Sequence, residues 1–135
     1  MLFRSRPATT ATREALLTHD PDRYQDELWW QQEKPELVLG PPSWKWLSRA
    51  FESTRQLRDD PRLKTMAVPT LLIVAEADKL VSPPAALQVA TRLPNARVMQ
   101  FGPESAHEVL READGVRNRA IDEIDRFLAS HAYGG

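Results

Sequence analysis

A chain of 135 residues with a formal net charge of −1 fits one modest domain or part of a larger one, and its 41% hydrophobic content excludes disorder. No Lys/Arg block is long enough to track a phosphate backbone, so nucleic acid is not expected as a partner. Cysteine is absent, and His19, His107 and His131 lack metal-ligand spacing, which removes disulfides, thiolate nucleophiles and the usual zinc sites; no cofactor is expected.

No stretch approaches the roughly 18–20 apolar residues of a membrane span. The N-terminus, MLFRSRPATTATRE, lacks the apolar middle region of a signal peptide. The expectation is a soluble, cytoplasmic protein without a stable membrane span.

In chain order, two textures meet near Pro61, dividing the chain into residues 1–60 and 61–135. The first segment is polar, rich in Trp and punctuated by Pro. Asp20 followed by Pro21 predicts a capped helix running to about Glu33, which Pro35 ends. After Gly40-Pro41-Pro42, Ser43 starts a second helix to about Leu57, with Trp44, Leu47, Phe51 and Thr54 along one face. Two such helices form a layer that cannot bury its own apolar face and must sit on something.

In the second segment, Thr70 to Ala75 (TLLIVA) predicts a strand buried on both faces, as in a parallel sheet. Ser82-Pro83 opens a helix with Ala86, Val89, Ala90 and Leu93 on one side, closed by Pro94, and Arg97 to Phe101 is a second strand. After a loop from Gly102 to Ala106, Asp114 caps a last helix whose buried stripe is Val116, Ala120, Ile121, Ile124, Phe127 and Leu128. The acids and bases of residues 111–126 read as its wet face. The order is that of a βαβ unit with a right-handed crossover and a covering helix, the fold class α/β. Two parallel strands are too few, so further strands are expected from a missing N-terminal half or from a second chain.

Functional residues of open α/β sheets collect just past the C-terminal strand ends. Asp78 follows the first strand and His107 the second, so both loops leave the same sheet edge and a carboxylate–imidazole pair is natural there. Such a pair is two-thirds of a catalytic triad, in which the carboxylate orients the imidazole and the imidazole takes the nucleophile's proton. Glu76 and Glu108 are alternative orienters. Ser105 shares a loop with the base it would need and has no helix N-terminus behind it. His19 reads as a helix N-terminal residue and His131 as a solvated tail residue.

The chain order of Asp then His on consecutive strand ends, the segment VPTLLIVAEADKLVSPPAALQVATRLPNARVMQF and the following SAHEVLRE resemble the lysophospholipase/monoacylglycerol-lipase branch of α/β-hydrolases. LLTHDPDRYQDELWWQQEKPELVLGPPSWKWL resembles the lid of its bacterial lysophospholipase-like members. The resemblance implies the C-terminal part of a parallel hydrolase sheet over residues 61–135, a helical lid over 1–60, Asp78 and His107 as catalytic residues, and a small-molecule or lipid ester as substrate. Ala75 and Ser105 stand where the family often has glycine. The family's G-x-S-x-G elbow is absent, since none of the five glycines brackets a serine in that way, and the oxyanion-hole segment is absent with it. The expectation is therefore the C-terminal half of a serine ester hydrolase, inactive as an isolated chain; the rival is a non-catalytic half-domain that pairs through its open sheet edge. Trp29, Trp30, Trp44 and Trp46 either line an acyl channel beneath the lid or glue the helices to the sheet.

Overall fold

The computed structural model describes residues 10–131. Residues 1–9, which carry most of the segment read for a targeting signal, and residues 132–135 lie outside it. Seven elements follow in order: α1 (Thr10–Leu17), α2 (Pro21–Glu33), α3 (Trp44–Asp59), β1 (Thr70–Ala75), α4 (Pro83–Ala90), β2 (Ala96–Phe101) and α5 (Asp114–His131). Short 3-10 turns lie at Pro35–Leu37, Pro61–Thr65 and Val109–Arg111. Among the described residues, no helix is long and apolar enough to cross a membrane.

The local signals act as their chemistry dictates. Asp20, Ser43 and Ser82 each accept a hydrogen bond from the amide three residues on, capping α2, α3 and α4. β1 and β2 pair in parallel with Thr70 opposite Ala96 and Ala75 opposite Phe101, so both strands end level at the same edge. Period-two alternation puts Ile73, Ala75, Met99 and Phe101 on one face. There α5 covers them with Val116 and Ala120, and Val109 completes the cluster. Phe101 is fully buried, with the Arg119 guanidinium 4.9 Å from its ring centroid.

Several expectations need correction. β1 is half-buried until Val74 and Ala75 rather than buried on both faces, because a two-stranded sheet leaves one edge of each strand without a neighbour. α4 stops at Ala90, not Leu93; the next residues turn in i→i+3 fashion, consistent with a proline at 94 that disfavours helix in the residue before it. The first carbonyl of α5 is that of Ala113, which accepts from Val116 and Arg117, while the Asp114 carboxylate is drawn away to Arg23. The α5 stripe fades toward its end, where Leu128 is exposed.

The 111–126 segment is not uniformly wet. Glu123 is buried between Arg97 (2.6 Å) and Arg126 (3.1 Å), and Glu112 is almost completely buried. α3 runs to Asp59 and packs against α4, yet none of its residues is buried, so its apolar face lacks the floor the sequence asks for. α1 and the turn at Val109–Arg111 were not anticipated; both owe their place to long-range partners described next.

Candidate active site

Asp78 lies three residues past β1 and His107 six past β2. Because the strands end level, the two loops meet above the sheet edge. Two further backbone bonds shape the approach: Glu76 N–H donates to the Phe101 carbonyl (2.8 Å) and Asp78 N–H to that of Ala75 (3.2 Å). His107 Nδ1 is 2.6 Å from Asp78 Oδ2. A carboxylate only accepts, so Nδ1 carries the proton and the Nε2 lone pair is left to take another.

The other Asp78 oxygen, Oδ1, accepts from the backbone of Leu80 (2.7 Å) and Val81 (3.1 Å). Burial pushes the Asp78 carboxyl up, but the hydrogen bond from His107, those two amides and the neighbouring imidazole charge outweigh it and hold the group below the usual carboxylate range. The result is a fixed anion facing an imidazole whose side chain is 34% exposed, enough to reach a partner. A pocket of about 170 Å³ adjoins the pair, walled by Ile73, Val81, Pro83, Ala86 and Val109.

The His107 loop is anchored by the N-terminal segment. Its own amide donates to the Leu16 carbonyl (3.3 Å) and that of Glu108 to Leu17 (2.8 Å). Glu112 reaches back to accept from the amide of Ala106 (2.6 Å), and also from His19, at Nδ1 (3.1 Å) and at the backbone (3.0 Å). Thr18 Oγ1 donates to the Arg111 carbonyl (2.7 Å). Arg23 binds the Glu112 carbonyl and the Asp114 carboxylate, while Arg111 donates to the Arg23 carbonyl (2.9 Å) and lies over the Tyr24 ring.

Of the residues singled out from sequence, Asp78 and His107 are brought together. Glu76 is exposed, and Glu108 is engaged by Arg111 at 2.6 Å, so neither orients the imidazole. Ser105 is fully buried with its hydroxyl turned to the Ala106 carbonyl (3.2 Å). Among the described residues no serine is hydrogen-bonded to His107, and no group of three or more His, Asp or Glu side chains could hold a metal ion. His19 precedes α2 as expected but is tied to Glu112, and His131 sits exposed at the end of α5 against Phe127. Trp29, Trp30, Trp44 and Trp46 are each about half exposed or more, so within this chain they do not glue the helices to the sheet. A roomier pocket, about 610 Å³, lies away from the dyad, between Arg13, Glu27, Trp30 and the Leu37–Gly40 stretch.

Comparison with known proteins gives the family and the fold. A family model described as serine aminopeptidase, S33, matches residues 2–114. A protein named probable lysophospholipase L2, from Haemophilus influenzae, is 28% identical over 98 residues, which are 72% of this chain and 30% of that protein. The crystal structure of a soluble variant of monoglyceride lipase from Saccharomyces cerevisiae, in complex with a substrate analog, is similar with a TM-score of 0.71. It is 14% identical, and the match covers 87% of this chain and 41% of that one. The fold is thus part of an α/β-hydrolase, as the resemblance implies, and the matches cover 30% and 41% of the two proteins, so the chain spans less than half the length of either.

Proposed function

This chain belongs to the serine aminopeptidase S33 family, and on that premise we propose that it supplies the Asp and His of a Ser-His-Asp ester hydrolase acting on monoacyl lipids. The observation that carries the reading is the 2.6 Å contact between Asp78 and His107 at neighbouring strand ends. A serine from outside these 135 residues attacks the ester carbonyl while His107 Nε2 takes its proton. The imidazolium, steadied by Asp78, then passes that proton to the departing alkoxide, and water releases the acid by the same route in reverse. Residues 61–135 are read as core and 1–60 as lid, with the exposed Trp side chains facing an acyl chain. The relatives' names, a lysophospholipase and a monoglyceride lipase, favour an ester over the peptide bond that the family's description suggests.

The test has two arms. The isolated chain is expected to give no ester or aminopeptide turnover that depends on His107; turnover lost in His107→Ala would overturn the assignment of the nucleophile to another segment. Coding sequence upstream of Met1 is expected to contain an in-frame G-x-S-x-G, and the longer polypeptide to cleave monoacyl esters with kcat falling about 10⁴-fold in Asp78→Asn. A stop codon and promoter there would instead favour the second reading, a non-catalytic partner that completes its two-stranded sheet with another chain. Its support is the open edge of β1 and β2 together with the uncovered face of α3.

A further inference from the structure

We infer that Glu112 is a positioning residue for His107, acting through the loop that carries it; the inference rests on reading His107 as the catalytic base. Desolvating a carboxylate costs several kcal/mol unless donors replace the lost water, and Glu112 is 1% exposed. Its partners are not lysine or arginine side chains but the Ala106 amide and groups of residues 18 and 19, Thr18 Oγ1 among them at 3.4 Å from Oε2. Oε1 takes the Ala106 amide at 2.6 Å and His19 Nδ1–H at 3.1 Å, and Oε2 takes the His19 amide at 3.0 Å.

Ala106 immediately precedes His107, and the His107 amide is itself committed to the Leu16 carbonyl, two residues before Thr18. The loop is therefore clamped from both sides to one stretch, residues 16–19, and the Glu112 carboxylate closes the clamp. An apolar side chain in the same space would leave the buried Ala106 amide without an acceptor, so the carboxylate both satisfies that donor and fixes the amide plane next to the base. Asp78 receives the equivalent service locally, from the Leu80 and Val81 amides. His107 has no such local support, and catalytic geometry tolerates displacements of only about 0.5 Å.

The experiment follows the imidazole of His107 by nitrogen-resolved NMR in the full 135-residue chain. The unsubstituted protein should give a low-field Nδ1–H signal that disappears in Asp78→Asn. Its absence would overturn the dyad reading, and this inference with it. In Glu112→Ala the signal should exchange with water at least about tenfold faster, as loss of a charge-assisted hydrogen bond implies, while the core amides of Phe101 and Ala120 keep their shifts. Glu112→Gln retains one acceptor and guards against an alanine variant that does not fold; its exchange should fall between the two. A folded Glu112→Gln variant with the unsubstituted protein's exchange rate would overturn the positioning role while leaving the dyad intact.

Discussion

The stretch from Leu17 to Tyr24 and the helix from Trp44 to Asp59 have opposite fates, and hydropathy predicts them the wrong way round. LTHDPDRY is mostly polar, yet Leu17, Thr18 and Tyr24 are 4%, 1% and 1% exposed. α3 carries two Trp and a Phe, and Trp44, Trp46 and Phe51 are 65%, 61% and 73% exposed. Polar partners explain the first: the buried Thr18 hydroxyl donates to the Arg111 carbonyl, while the more exposed His19 and Arg23 tie the stretch to Glu112 and Asp114 at its rim. The second lacks a surface to lie on. Apolar character drives burial only where a complementary face exists, and in this chain the complement was built for the polar stretch.

The sharpest way to break that contrast is to truncate one phenylalanine on each side of it. Phe101→Ala empties the centre of the cluster that joins both strands to α5, and about 3–5 kcal/mol of stability should be lost. In a domain of this size that is enough to unfold much of the population, read as a lowered denaturant midpoint at constant slope. Phe51→Ala on α3 should change stability by less than about 0.5 kcal/mol. A large loss there would mean that α3 is covered in solution by something other than this chain's own core.

What was legible in the sequence follows the same division. Helix starts at Asp20, Ser43 and Ser82 and the TLLIVA strand announce themselves by local chemistry, and each sits where that chemistry puts it. The Asp78 and His107 contact follows from two level parallel strands. Glu112 was illegible because its partner His19 lies 93 residues away and its neighbours, Arg111 and Asp114, make the segment read as solvated. Glu123 was misread for a related reason: at helical spacing it falls beside Ala120, and its burial becomes tolerable through Arg97 on β2 together with Arg126. α1 has neither a capping box nor a strong apolar stripe. It is recognisable only from its carbonyls, which the His107 loop uses.

A smaller effect should appear in acid. The Asp78 carboxyl is held below its ordinary range in the folded chain, whereas in the unfolded chain it titrates near 3.9. Between those two values the unfolded state binds more protons, so stability rises with pH there. The contribution is fully present above the unfolded value and is lost as pH falls through the folded one. Asp78→Asn should flatten that part of the curve in urea titrations below about pH 4. The exposed tryptophans of α3, which carry no such linkage, should leave its shape unchanged when replaced. Equal acid sensitivity in the Asp78→Asn variant would mean that the carboxylate is not held by the partners named above.

The smallest prediction asks whether two caps of the same kind are felt by the same structure. Asp20 accepts the Arg23 amide at 3.1 Å and Ser43 accepts that of Trp46 at 3.2 Å, so replacing either by Ala should cost its helix about 1 kcal/mol. α2 is bound through Tyr24 and Arg23 to the His107 loop and its continuation, so it cannot fray without opening that seam, and Asp20→Ala should lower the global midpoint by nearly its full cost. α3 has no buried residue to hold it once its first turn loosens. Ser43→Ala should therefore speed amide exchange within residues 44–59 several-fold while the global midpoint barely moves. Equal shifts of the global midpoint in both variants would show that α3 folds as one unit with the sheet, and the difference between the two regions would then be one of exposure alone.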